Sequence, residues 1–301
     1  MNRDDVEVFV EAARAGSLSE AARRLGVTPA VASKRLAVLE REAGVRLMHR
    51  STRKLALTRE GEGFLPAAQA VLDAHESARA TLASGRATAH GIIRLTSPIT
   101  FGSKVLWPLL PKFLHVNPNL EADLQLSDQV LDLYEGAIDA AIRIAPLADT
   151  RLIAKSLSPN PMVLCASPQY LSRHGTPSNV DELGRHQCLA FGGATQWSFG
   201  ESKSRRSVRV HGRIRSNNYE VIRSACLSGY GIMLSSRWDV HDDIARRVLV
   251  EVKLGVDPTA LHVWLVYPTR SPLPLRLSLL FEYLVSTVPV AMKGLHTVES
   301  R

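Results

Sequence analysis

Ten basic side chains crowd into 37 residues: Arg23, Arg24, Lys34, Arg35, Arg41, Arg46, Arg50, Arg53, Lys54 and Arg59, opposed only by Glu40 and Glu42. This stretch carries +8, the whole net charge of the chain. Charge concentrated in this way is the footprint of a protein that binds a polyanion such as DNA. A second set of groups lies where a strand runs into a helix. Ser97, Thr100 and Ser103, with Phe101 and Gly102 between them, offer hydroxyls and helix N–H groups to a small anion. Asn217 and Asn218 stand at a similar junction, and Lys104 or Arg143 could balance a carboxylate. Each also has a plainer role: Ser103 and the asparagines are ordinary N-caps, and the cations can simply be solvated.

Catalytic signatures are missing. The sequence holds no HExxH, GxSxG, Walker loop or GxGxxG, and its ten histidines never fall four residues apart. Neither catalytic residues nor a cofactor is expected. Cys165, Cys188 and Cys226 form no CxxC pair and read as small core residues rather than as a disulfide or metal framework. With 301 residues, 45% hydrophobic and 22% charged, the chain has ordinary globular composition and length for about two domains. No unbroken apolar run approaches the roughly 18 residues of a membrane helix. Met1-Asn2-Arg3-Asp4-Asp5 lacks the pattern of a secretion signal. The expected location is the cytoplasm, with no membrane partner.

The elements that must position the basic groups follow from spacing. Val6, Phe9, Val10 and Ala13 make one helix face, ended by Gly16. Ser17 or Ser19 caps a second helix carrying Ala21, Ala22 and Leu25; Ser17 with Glu20 would form a capping box. Thr28 as N-cap and Pro29 at the first position open a third helix. The helix-turn-helix spans about 19–38. At about 100° per residue, Ser33, Lys34 and Ala37 share a side with Ala30, while Ala32, Leu36 and Leu39 lie opposite. An apolar inner face and a small, polar outer face suit a helix that enters a major groove. Val45–Arg50 and Lys54–Thr58 read as a β-hairpin wing with Ser51-Thr52-Arg53 at its tip. Arg50 and Arg53 there would reach phosphates or a minor groove.

The run Phe9…Gly16-Ser17-Leu18-Ser19-Glu20-Ala21-Ala22-Arg23-Arg24-Leu25-Gly26-Val27-Thr28-Pro29…Ser33-Lys34-Arg35-Leu36…Gly44-Val45-Arg46-Leu47…Arg50-Ser51-Thr52-Arg53…Leu57-Thr58-Arg59-Glu60-Gly61 resembles the LysR-type transcriptional regulators. One departure is Val31-Ala32, which reverses the family's usual order before the serine. The resemblance implies DNA contacts from Ser17, Thr28, Pro29, Ala30, Ser33, Lys34, Arg35, Arg50, Ser51, Thr52 and Arg53. It also implies homodimers or homotetramers on double-stranded DNA.

Residues 1–60 thus form a winged helix-turn-helix domain, and 61–88 a linker helix. Phe64, Ala68, Val71, His75, Ala78 and Leu82 recur at spacings of four and three, a seam for a helix–helix contact. Pro66 is expected near the start of that helix. From 89 to 301 strands alternate with helices, which argues for an α/β domain with mainly parallel sheets. Breaks at Ser158-Pro159-Asn160-Pro161 and Tyr267-Pro268 divide it into lobe I, 91–161 plus 268–301, and lobe II, 162–267. Leu109-Leu110-Pro111-Lys112-Phe113-Leu114, Leu126-Ser127-Asp128, Ser216-Asn217-Asn218 and Gly229-Tyr230-Gly231-Ile232 resemble the branch with D-malate-responsive regulators. That likeness implies a two-lobed, periplasmic-binding-protein-like fold holding a small-molecule effector, with a small organic acid as the expected class. The alternative is an architectural DNA-binding protein that takes no ligand.

Overall fold

The structure, a computed structural model, describes residues 1–50, 55–82, 89–133, 138–145, 152–201, 205–268 and 273–296. It opens with α1 (Arg3–Ala15), α2 (Leu18–Arg24) and α3 (Pro29–Ala43). Asn2 caps α1, and Gly16 ends it at φ 59°, in the left-handed region that glycine tolerates best. Ser17 rather than Ser19 caps α2, accepting from the Glu20 N–H. The reciprocal half of the capping box does not form, because Arg23 and Arg24 hold the Glu20 carboxylate and lower its pKa to about 2. Thr28 caps α3 through the Val31 N–H, with Pro29 in the first position. Ala32, Leu36 and Leu39 are fully buried against α1, as the angular count requires. The wing is a short antiparallel pair, β1 (Met48–Arg50) and β2 (Leu55–Leu57). The expected tip, Ser51 to Lys54, lies outside the described residues.

α4 (Arg59–Leu82) follows directly. Its start is fixed by Thr58, whose hydroxyl accepts from the Gly61 N–H and donates to the Arg46 carbonyl. Gly61 allows a close approach; a Cβ there would run into the Leu47 carbonyl. Because Thr58 sets the start this early, Pro66 falls inside the helix, not near its beginning, and its ring is exposed. The seam divides in two. Ala68 is buried against the helix-turn-helix and Phe64 meets Phe9 at 5.4 Å, while Val71, His75 and Ala78 remain exposed.

The second domain contains β3 (Gly91–Ser97), a helical run of α5 (Ile99–Phe101), a π-turn (Gly102–Leu106) and α6 (Trp107–Val116), then β4 (Leu120–Leu126), β5 (Ala140–Ile144) and β6 (Leu152–Asn160). It continues with β7 (Met162–Ala166), α7 (Pro168–His174), β8 (Cys188–Phe191), β9 (Gln196–Phe199), β10 (Arg206–Arg209) and β11 (Arg215–Ser216). The last elements are α8 (Tyr219–Leu227), β12 (Ile232–Ser236), α9 (Arg237–Ala245), β13 (Val250–Glu251), β14 (Leu261–Pro268) and α10 (Leu275–His296). Two five-stranded sheets form the lobes, ordered β4-β3-β5-β14-β6 and β11-β8-β12-β7-β13.

Two expectations are corrected. The sheets are mixed: β3 pairs in parallel with β4 and β5, and β8 with β11 and β12, but β14 and β7 run antiparallel to both their neighbours. Each antiparallel intruder lies next to a passage between the lobes. The return passage lies between β13 and β14, ahead of Tyr267-Pro268, because β14 is a strand of lobe I. Tyr267-Pro268 marks only the end of that strand.

Pro108 and Pro111 do not break the helix from Ile99 to Val116; the π-turn just before Pro108 absorbs the local misfit. α10 is long and apolar enough to span a membrane by composition, yet Leu277, Leu280, Phe281, Leu284, Val288 and Met292 pack into the core of lobe I. The three cysteines are free and buried, as core residues should be, and burial pushes the Cys188 thiol up to about 12.

Charge joins the two domains. Arg94 of β3, 4% exposed, lies 3.6 Å from Glu11 of α1, and Arg276 of α10 meets Asp73 of α4 at 2.9 Å. Burial, and then Arg14 nearby, lower the pKa of Arg94. Buried pairs of this kind add little net stability but are costly to break singly.

At the outward passage Asn160 is fully buried. Its amide donates to the Ser236 hydroxyl at 2.9 Å, and its oxygen accepts from the Trp238 indole at 2.8 Å. Asn160→Ala leaves the buried Trp238 indole N–H unpaired and takes a donor from the half-buried Ser236 hydroxyl, so urea unfolding should show a loss of about 1–3 kcal/mol. An unchanged midpoint would show that the passage is not pinned there.

Candidate functional site

The first candidate surface is the outer side of α3. Ala30 and Lys34 are exposed, and Ser33 and Ala37 are half-buried. Val31, 40% exposed, stands about 100° round from Ala30 at the edge of this side. Arg35 is drawn sideways onto Asp4 of α1 at 2.8 Å. Ser17 and Thr28 cap α2 and α3, and Pro29 takes the first position of α3.

The wing is held to α3 by one acidic side chain. Glu40, 8% exposed, accepts from the backbone N–H groups of Leu47 and Met48 at 3.0 and 3.1 Å. The Leu55 N–H also reaches the Gly16 carbonyl. In the sequence Glu40 counted only as a charge opposing the basic stretch. Its structural task was legible only as an acid on the inner side of an otherwise apolar helix stripe.

The second candidate is a cavity of about 270 Å³ between the lobes. Of the residues expected there, Ser97, Thr100, Phe101 and Arg143 line it; Gly102, Ser103, Asn217 and Asn218 do not. Gly102 instead packs tightly against Leu126, where a Cβ would collide. Ser103 is not an N-cap, since the helix begins earlier, at Ile99. Its hydroxyl turns back to the carbonyls of Ile99 and Thr100. Asn218 caps α8. Lys104 is paired with Asp239 at 2.6 Å.

The remaining lining comes from distant parts of the chain. Asp128, Phe191, Tyr219, Trp238 and Asp239 meet there, and local pattern gave no signal for the three aromatic groups. Phe101 and Trp238 pack edge to face at 5.7 Å. Burial, and then the Asp239 charge, push the Tyr219 phenol well above its ordinary pKa; its hydroxyl pairs with Ser235. Arg143 is half-buried, with one N–H on the Leu131 carbonyl at 3.3 Å. The Thr100 hydroxyl is buried without a partner among the described residues.

A helix-turn-helix with a wing, followed by two lobes around a cleft, has clear counterparts among known proteins. Residues 3–62 match the bacterial regulatory helix-turn-helix model of the lysR family, and residues 86–289 match the LysR substrate binding domain. The chain belongs to the LysR family of transcriptional regulators. It is 33% identical over 285 residues to the HTH-type transcriptional regulator DmlR of Escherichia coli K12, covering 93% of this chain and 92% of the relative. The solved structure of CrgA, a LysR-type regulator from Neisseria meningitidis, is 30% identical at a TM-score of 0.59, over 96% of this chain and 99% of that one. A full-length OxyR variant from Pseudomonas aeruginosa shares the fold at a TM-score of 0.74 and 20% identity, over 100% and 99% of the two chains. As a LysR-type regulator the chain binds DNA through its first domain and an effector through its second. It is not an enzyme, and the ligand-free architectural alternative falls with this assignment.

Glu40→Ala removes the acceptor of two buried N–H groups. Stability should fall by about 1–3 kcal/mol, and operator affinity should fall further than in a destabilised control of equal melting temperature. Equal affinities would show that wing placement does not depend on Glu40.

Proposed function

We propose that this regulator responds to a small organic acid held between its lobes, with Arg143 meeting the acid group. The supporting observation is the charge balance of the cleft. Asp239 is matched by Lys104, and Asp128 accepts two backbone N–H groups. Among the described lining residues Arg143 is the one cation, and it has no ionic partner. A guanidinium presents a fork of donors that suits a carboxylate. The buried Thr100 hydroxyl supplies a further polar contact beside it.

On DNA, Ala30, Ser33 and Lys34 face bases, while Arg50 and Arg53 contact backbone or minor groove. The exposed half of the α4 seam, Val71, His75 and Ala78, favours a homodimer or a pair of dimers, because a single helix-turn-helix reads few base pairs. The protein acts in the cytoplasm, with its DNA.

The ligand reading is tested by a thermal-shift screen of small carboxylates, aromatic acids and amino acids against the parent and Arg143→Ala. An acid at 100 times its Kd should stabilise the parent by about 2.7 kcal/mol, and Arg143→Ala should abolish the shift. A responsive acid bound equally by Arg143→Ala would overturn the assignment, as would a response confined to cations or neutral compounds.

A further inference from the structure

Asp128 lies two residues past β4, at the mouth of the cleft. Its Oδ1 accepts the N–H of Ile99 at 3.0 Å, and its Oδ2 accepts the N–H of Tyr219 at 3.1 Å. Ile99 begins the helical run of lobe I, and Tyr219 begins α8 of lobe II. The first N–H groups of a helix have no partner within it and carry partial positive charge. One side chain therefore satisfies a donor from each of two helices that belong to different lobes.

We propose that Asp128 is a resident anion: its carboxylate clasps the two helix starts together, closes the cleft without a ligand, and keeps the acid group of an effector away from them. The inference rests on the reading of the cleft as an effector site. Asp128 also takes up part of the anion position expected from the sequence at the Ser97–Ser103 junction. The Ile99 N–H is taken by Asp128, the Gly102 N–H by the Pro98 carbonyl, and Ser103 by its own helix. An incoming acid is left with Arg143, on β5 of the same lobe, and with the Thr100 hydroxyl. The other contacts between the same walls, Lys104 with Asp239 and Phe101 on Trp238, are made by side chains and leave the Ile99 and Tyr219 N–H groups to Asp128. Loss of Asp128 should therefore uncover a site for a free carboxylate of the same size.

The test uses the full-length chain and formate. Asp128→Ala should melt several degrees below the parent, and formate should restore much of that loss saturably, whereas chloride at equal ionic strength should not. The parent's own response to the two salts, Arg143 included, is the baseline that is subtracted. Asp128→Asn keeps the volume but turns a donor toward one of the two N–H groups. It should melt below the parent and gain nothing specific from formate, because its amide fills the site. It also serves as the second variant should Asp128→Ala not fold. An Asp128→Ala protein that melts with the parent, or whose loss formate repairs no better than chloride, overturns the clasp; so does an Asp128→Asn protein that melts with the parent. Because no effector is used, the clasp can fail while acid binding at Arg143 stands, and the reverse.

Discussion

Two passages carry the backbone between the sheets, and what pins them determines what the regulatory domain can do. At the outward passage the buried Asn160 bonds Ser236 and the Trp238 indole. Its side chain ties the end of β6 to the end of β12 and the start of α9. Trp238 in turn lies against Phe101 at the start of the lobe I helix. The walls of the cleft are thus set by a polar group with no exposure to water, whose bonds cannot be exchanged for solvent. The first strand after each passage, β7 and β14, runs antiparallel to both its neighbours.

The DNA-binding half obeys a simpler constraint. A helix presents a clean outer face only when its inner face is fully committed, and α3 commits Ala32, Leu36 and Leu39 to the core shared with α1 and α4. Glu40 extends that commitment to the wing, tying helix and hairpin into one body. The Glu11–Arg94 and Asp73–Arg276 contacts then connect this body to lobe I. β3, which carries Arg94, also lines the cleft with Thr96 and Ser97, so one strand touches both α1 and the cavity.

Much of this was legible in the sequence, and the failures share a cause. Helix starts were legible because caps are local chemistry: Thr28, Pro29 and Gly16 do what their types dictate. The two faces of α3 also followed from periodicity. β6, β8 and β12 gave no such signal; β8 and β12 are largely buried and do not alternate cleanly. The return passage was misplaced because a proline marks a chain break without saying which sheet precedes it. In the cleft, Arg143 could be named from its strand and Thr100 from the strand-to-helix junction. Asp128 could not be given its role, since both of its donors are fixed only by tertiary structure.

The central claim is that one face of α3 reads sequence for an effector-controlled regulator. Selection from random DNA duplexes by the parent and by Lys34→Ala, at fixed salt, tests it most directly. The account predicts that the parent enriches paired half-sites spaced by whole helical turns, about 10–10.5 base pairs apart or a multiple. Lys34→Ala should lose about 1–3 kcal/mol of discrimination at one position in each half-site while still binding DNA. A parent that enriches no sequence, or a Lys34→Ala variant with the parent's full preference, would contradict it.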